Sequence, residues 1–561
     1  MDALGNLLGG LEAALTPQNL LWVLIGVTLG TVVGILPGLG NPAAVLAVLL
    51  PLTLKLPPAT GLIMMAGLYH GAKFAGSTTA ILLNIPTETS SVVLCYDGHP
   101  LARKGRAGPA MGMSAISGFI ASTVGVIALT FLAPIIAKFA VAFGPPEFAM
   151  LMVFGLLLVI TLTGKSPIKG FISMAVGLLL STVGIDLFSG TERFTFGNIE
   201  LFDGVEFLVL TLGMFAVGEI LVNIEQVRGK NLLQIPKGIR NLLPNKQDLK
   251  ECRGAIAQGS ITGFIVGAVP GGGSTIASFV SYTLQKNISR NRNKFGKGAM
   301  EGVAAPEAAN NSEVGGAMVP LLSLGLPGSA STSVMLAALL LFGLQPGPRL
   351  FETSPDIVWP VIASLYLGNF ALIILNLPLI PMWVRLLKIP YWILYPTILV
   401  LSVVGAYSVR GSMFDIYMLI FFSVLGYAFR KLAIPPTPLL MAFVLGPQAE
   451  NAIRQSLTLS NNDLSIFVTR PISAIVLGLA VCVVILAVVT NLRGTRLPTK
   501  ASVAAPPDMD DSADGEVIDG EVIDRALDTE SLDADPAAEL ISDEREAAVV
   551  SAQANNSRPE R

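Results

Sequence analysis

The sequence predicts an all-α polytopic membrane protein, on three observations. Charged residues make up 13% of the 561 positions and hydrophobic residues 52%, whereas a soluble chain carries about 25% charged residues. The apolar residues recur along the chain instead of collecting in one anchor: Leu20–Leu36, Met111–Ile136, Phe148–Leu162, Phe171–Ile185, Val358–Leu379, Met413–Phe429 and Ile472–Thr490. Several of these runs approach or exceed the roughly 20 residues that cross a hydrocarbon core. None alternates with the period of a barrel strand. In lipid each backbone polar group must bond internally, so the spans are helices.

The ends and the cysteines narrow the class further. The first residues are acidic and neutral rather than basic, so the N-terminus does not read as a cleavable signal. Cys95, Cys252 and Cys482 are odd in number and scattered, which fits neither a disulfide framework nor metal-ligand spacing. The net charge of −3 divides unevenly: from Pro498 onward there are 17 acidic and 5 basic residues, so the remaining body is positive. That tail holds few large apolar residues and reads as a disordered solvated spacer or, less simply, a docking segment.

Basic residues mark one side of the membrane. Arg103/Lys104/Arg106, Lys165/Lys169, the long polar loop up to Arg253, Lys286–Lys297, Arg385/Lys388, Arg430/Lys431 and Arg493/Arg496 alternate with acidic or weakly charged segments at Asp186–Glu206, Phe351–Asp356 and Glu450–Asp463. The positive-inside rule places the first set in the cytoplasm, together with the tail. The alternation runs to the C-terminus without a forced crossing and predicts about ten to twelve transmembrane helices.

An internal repeat divides the chain. Gly30–Gly40 reads GTVVGILPGLG and Gly263–Gly273 reads GFIVGAVPGGG. A second pair follows in the same order, GSTTAILLNIPTETSS (Gly76–Ser91) and GAMVPLLSLGLPGSASTS (Gly316–Ser333). Two motifs repeated in order argue for duplication, and the charge pattern requires the first copy to be inverted relative to the second. The expected segments are a first transport repeat at 18–110, helices completing that half at 111–225, a basic cytoplasmic loop at 226–253, a second transport repeat at 254–350, C-terminal helices at 355–492 and the acidic tail at 498–561.

The repeated motifs carry the chemistry. Pro-Gly-x-Gly in an apolar run is either a helix break or a re-entrant hairpin, because proline removes a donor and glycine permits positive φ. Such backbone is tolerated at membrane depth only where protein or water covers it. Secondary transporters use matched interruptions of this kind to bind solutes near the midplane. The expected substrate-binding residues are therefore Gly38, Gly40, Asn84, Pro86, Thr87, Ser90 and Ser91 in the first half. In the second half they are Gly271, Gly272, Gly273, Ser274, Thr275, Pro327, Gly328, Ser329 and Thr332. Hydroxyls and free N–H groups at a positive helix end suit a carboxylate. The Gly30/Gly34 and Gly263/Gly267 pairs read as close helix packing instead.

Ion coupling has its own candidates: Glu88, inside the first break, and Glu307 with Asn310 and Asn311 in APEAANNSE. A carboxylate among apolar residues often marks an ion or proton path, and carbonyl-rich Asn and Glu suit sodium. The alternative for Glu307 is a loop at the membrane surface near Lys294 and Lys297. His70 and His99 are isolated and read as structural. No P-loop, H-E-x-x-H or G-x-S-x-G occurs, so neither an enzyme nor a cofactor is expected, and nothing points to nucleic acid.

GTVVGILPGLGNPAA, GLYHGAKFAGSTTAILLNIP, DGHPLARKGRAGPAMG, APEAANNSEVGGAMVPLLSLGLPGSASTSVMLAALLLFGLQPGPRLF and GYAFRKLAIPPTPLLMAFVLGPQAENAIRQSL resemble the large membrane subunit of tripartite tricarboxylate transporters. The resemblance runs in order from about Leu20 to about Thr490 and leaves out the acidic tail. It implies a bacterial inner-membrane permease driven by a sodium or proton gradient. Its partners would be a small four-helix membrane subunit and a periplasmic solute-binding protein that captures carboxylates such as citrate. One departure stands out. Where the family shows Asn-Ile-Pro-Gly and a second proline, this chain has Asn84-Ile85-Pro86-Thr87-Glu88-Thr89. A glutamate there repels a tricarboxylate unless an ion or proton neutralises it, so it bears either on substrate identity or on coupling.

Overall fold

Proline opens helix after helix in this chain: Pro17, Pro42, Pro58, Pro145, Pro167, Pro355 and Pro471 are each a first helical residue. The missing N–H costs nothing at that position, and the ring presets φ. The computed structural model describes residues 3–36, 41–163, 166–186, 188–225, 241–386 and 391–492. The acidic tail, Gly38, Gly40 and most of the predicted basic loop lie outside them.

The first half runs α1 (Ala3–Ala14), α2 (Pro17–Ile35), α3 (Pro42–Thr53), α4 (Pro58–Leu83), α5 (Val92–Leu101), α6 (Ala107–Ala140), α7 (Pro145–Thr163) and α8 (Pro167–Ser181). A two-stranded antiparallel hairpin, β1 (Gly184–Ile185) with β2 (Glu192–Arg193), leads to α9 (Phe207–Thr211) and α10 (Gly218–Ile224), which a π-helical stretch joins into one rod. The second half begins with α11 (Lys246–Gly267), α12 (Gly273–Ile288), α13 (Glu301–Leu324) and α14 (Ala330–Leu341). It continues through α15 (Leu350–Thr353), α16 (Pro355–Leu386), α17 (Tyr391–Arg410), α18 (Met413–Lys431), α19 (Thr437–Leu459), α20 (Ile466–Thr469) and α21 (Pro471–Leu492). Every apolar run named from the sequence lies wholly or largely within one of these helices. Among the described residues, six helices are long and apolar enough to cross a membrane and five shorter ones are apolar. The eight residues before Gly254, read as loop, already form two turns of α11, started by Asn245, whose side chain accepts from Asp248 N–H (2.7 Å).

The two central helices escape a hydropathy reading. α4 and α13 have 26 and 24 residues, enough to span about 39 and 36 Å at 1.5 Å per residue. They carry His70, Lys73, Glu307, Asn310, Asn311 and Glu313, all buried. The surrounding helices shield them from lipid, which is why they tolerate polar side chains.

Small residues set how closely these helices approach. Gly26, Gly30 and Gly34 of α2 lie against α4, and Gly259, Gly263 and Gly267 of α11 lie against α13 in the same way. A Cβ at Gly30 would sit 2.3 Å from Leu68 O, and one at Gly263 would sit 2.3 Å from Ala309 O. The packing reading of these glycine pairs is thus correct, and both pairs of helices run parallel. The halves then interlock. α6 of the first half packs along α13, and α16 of the second packs along α4. Between the central helices, Tyr69 pairs with Glu313 and Lys73 with Asn310. The numbering runs in opposite senses, so the equivalent helices of the two copies cross antiparallel.

The polar connections sort as the charge pattern requires. Lys104 Nζ donates to Lys297 O (2.6 Å), Arg106 pairs with Asp248 (2.7 Å), and Lys169 Nζ donates to Leu432 O (2.6 Å). These contacts join basic segment to basic segment. Likewise Arg454 pairs with Asp186 (2.9 Å) and Arg193 with Glu450 (2.8 Å), joining two acidic segments. Asp97, in DGHP, adds a link between the halves. Its carboxylate accepts from the N–H groups of Gly298 (2.8 Å) and Ala299 (2.7 Å) and from the Tyr282 hydroxyl (2.9 Å).

The Asp186 carboxylate lies outside the membrane spans and is held down to about 2. The Phe188 N–H is the largest cause, and the Arg454 guanidinium adds to it. A depressed carboxylate stabilises the fold above its unfolded value near 3.8 and loses that contribution as pH falls through the folded value. Protease accessibility of the β1–β2 hairpin should therefore be flat from pH 8 to 5 and rise between about pH 4 and 2. Arg454→Met should move the rise to higher pH.

Candidate functional site

Both copies of the second motif break the helix in one way. α4 ends at Asn84 with φ 55°, and α13 ends at Gly325 with φ 71°, each a left-handed residue followed after one position by proline. Asn and Gly are the residues that adopt this conformation at low cost. The same 241-residue offset relates Asn84 to Gly325, Glu88 to Ser329 and Tyr69 to Asn310. Glu88 and Ser329 occupy matching caps. The Glu88 N–H donates to Ser91 Oγ (3.4 Å), and the Ser329 N–H donates to Thr332 Oγ1 (2.8 Å). Their contacts across the molecule match too: Asn310 of α13 meets Glu88, and Tyr69 of α4 interacts with Ser329.

At this crossing lies a buried ionic cluster. Lys73, 3% exposed, stands with its Nζ 3.7 Å from Glu88 Oε2, 3.5 Å from Glu313 Oε2 and 3.4 Å from Asn310 Oδ1. Asn310 Nδ2 donates to Glu88 Oε1 (3.2 Å), and the Tyr69 hydroxyl donates to Glu313 Oε2 (3.2 Å). Two carboxylates thus share one ammonium. Buried charge of this kind is costly unless paired, and in a membrane interior it marks a functional path. Several buried atoms around the cluster have no hydrogen-bond partner: Glu313 Oε1, Thr87 Oγ1 and Ser90 Oγ.

A second polar spot sits beside it on α13. Asn311 Nδ2 donates to Glu307 Oε1 (3.0 Å), and Glu307 Oε2 has no hydrogen-bond partner. Ser114 of α6 makes an electrostatic contact with Glu307 without completing a hydrogen bond. Glu307 is 1% exposed and inside a helix, so the surface-loop alternative for it is wrong. His70 Nε2 bonds Ser122 Oγ (2.9 Å) and His99 Nδ1 bonds Ile81 O (3.1 Å).

The remaining predicted residues cluster at the breaks. The Gly271 N–H donates to Gly328 O (2.9 Å), tying the two interruptions of the second half together. α12 starts at Gly273, so Ser274 and Thr275 lie in its first turn, and Thr275 bonds Thr89 of the first half (2.5 Å). The Ser91 hydroxyl donates to Glu88 O (2.8 Å). Pro327 and Gly328 lead into α14, whose N-cap Ser329 accepts from Thr332 N–H (3.4 Å). Gly272 precedes α12, and Pro86 precedes Thr87 in the first break. The sequence reading missed Lys73, Tyr69 and Glu313. A lone lysine in GLYHGAKFAGS was the available signal.

These features agree with what the chain resembles. Residues 20–441 match the family model described as the tripartite tricarboxylate transporter TctA family. The chain is 44% identical over 496 residues to an uncharacterised 52.8 kDa protein in the TAR-I ttuC' 3' region of Agrobacterium vitis, covering 88% of this chain and 98% of that protein. It is also 44% identical over 234 residues to an uncharacterised protein in the TAR-II ttuC' 3' region of the same organism, covering 42% of this chain and 97% of that one. No solved structure matches it. The chain is a multi-pass membrane transporter component and belongs to the tripartite tricarboxylate transporter TctA family.

Proposed function

We propose that this chain is the large permease subunit of a binding-protein-dependent secondary transporter, taking up citrate-like tri- or dicarboxylates with a sodium or proton gradient. The observation that carries the reading is the Lys73 cluster, a buried cation among carboxylates where the breaks of both halves meet. An anion crossing a membrane needs positive potential at depth. Lys73 brings an ammonium that Glu88 and Glu313 share in the unloaded protein, and the first turn of α14 adds the positive end of a helix dipole with the Ser329 and Thr332 hydroxyls. Glu307 Oε2, buried without a partner, suits the coupling ion or proton, with Asn311 beside it.

Family membership supports the rest: a small four-helix membrane subunit, a periplasmic solute-binding protein and the bacterial inner membrane. The basic segments, including Arg106 and Lys297, would face the cytoplasm with the tail, and the Asp186–Arg454 side would face the binding protein. The test is uptake of labelled di- and tricarboxylates by proteoliposomes holding this chain, its small partner and the binding protein. Uptake should require an imposed sodium or proton gradient and vanish when the binding protein is omitted. Uptake that persists without that protein would overturn the tripartite reading in favour of an autonomous carrier.

A further inference from the structure

We propose that Glu88 is a resident stand-in for a substrate carboxylate: it occupies Lys73 in the unloaded transporter, and the substrate displaces it. This rests on the carboxylate reading above and assigns the subsite within it.

Three observations carry it. First, Glu88 comes from the break loop rather than from a packed helix, and it reaches Lys73 and Asn310 with its two oxygens separately. Asn310 and Lys73 together are a donor pair shaped for one carboxylate, and Glu88 fills it. Second, the matching cap in the other half is Ser329, a neutral side chain that interacts with Tyr69 of α4. Of the two caps, one brings an anion to the cluster and the other a hydroxyl. Third, the groups lining the Glu88 position are unsatisfied. Thr87 Oγ1, on the residue before Glu88, and Ser90 Oγ, two residues after it, are buried without hydrogen-bond partners, as is Glu313 Oε1. Buried hydroxyls without partners on the residues around Glu88 are free to donate to another acceptor.

Displacement has an electrostatic consequence. Once a substrate carboxylate takes Lys73, Glu88 is left as an anion with Glu313 in the same low-dielectric space. An unpaired buried carboxylate is strongly disfavoured, so a cation or proton must arrive with the substrate. One carboxylate in therefore requires one positive charge in at Glu88. Removing the Glu88 charge should tighten carboxylate binding and lower the coupled charge by one.

The test uses the complete membrane complex with citrate and succinate as probes. Binding is read as the concentration that half-maximally raises the melting temperature in detergent. Coupled charge is read as the voltage dependence of uptake in proteoliposomes. Glu88→Gln keeps the acceptor for Asn310 and should lower the half-maximal concentration about tenfold or more, with one fewer positive charge moved per solute. Glu88→Ser, which copies the opposite cap, should shift both in the same direction and covers the case in which the glutamine variant misfolds. Unchanged binding and charge in a folded variant would overturn the stand-in role while leaving the carboxylate reading in place. If neither probe stabilises or enters with the wild type or the variants, the carboxylate reading itself falls.

Discussion

Lys73→Met should abolish carboxylate uptake and also weaken the fold. The methionine keeps the length of the side chain and removes the charge that Glu88 and Glu313 share. Losing one partner of a buried charge pair costs about 2–5 kcal/mol, which for substrate binding means roughly thirtyfold to several thousandfold. The same change leaves two facing carboxylates without their cation, destabilising the protein by about 3–5 kcal/mol. A second variant separates the two effects. Lys73→Met combined with Glu88→Gln removes one of the stranded anions, so the melting temperature should recover in part while uptake stays absent. Recovery of uptake in the double variant would show that Lys73 serves only the packing of α4 against α13.

Gly271→Val and Gly328→Val should abolish transport without preventing membrane insertion. Gly271 adopts φ +80°, and a Cβ there would stand 2.7 Å from Val159 Cα. A β-branched residue is a steric outlier at that φ, costing about 1–3 kcal/mol for the backbone and about as much again for the forced contact. At Gly328 a Cβ would meet Gly267 O at 2.9 Å. Either change disturbs the Gly271–Gly328 hydrogen bond and so shifts the start of α12 and of α14, with Thr275 and Ser329. The apolar spans themselves are untouched. Equal amounts of variant and wild type in the membrane fraction, with uptake lost, is the expected result. Wild-type flux through Gly271→Val would remove the breaks from the binding site.

Much of this was legible in the chain because the signals are local. The apolar runs became helices, and the second motif became a break in each half, at Asn84–Pro86 and at Gly325–Pro327, since proline and positive-φ residues act on their own backbone. None of the apolar runs named from the sequence falls between Pro57 and Asp97. α4 is buried in protein, so lipid does not dictate its composition. Lys73 stayed hidden for the same reason. Its partners are a loop residue 15 positions on and a glutamate 240 positions on, and neither spacing follows a helical or strand period. Glu88 and Asn310 were recognisable singly as buried polar candidates, whereas their hydrogen bond depends on the crossing of the two copies. Glu307 was ambiguous because Lys294 and Lys297 lie close in sequence, although α13 carries it well inside.

The interlocking of the copies bears on how the chain is made. α4 emerges from the ribosome with Lys73 long before α13 and Glu313 exist, and α16, which covers it, is synthesised later still. A polar helix without its cover is a poor substrate for lateral release into lipid. Until α13 arrives, Lys73 has Glu88 for company but neither Glu313 nor Asn310, so the central ion cluster is complete only once both halves have been made.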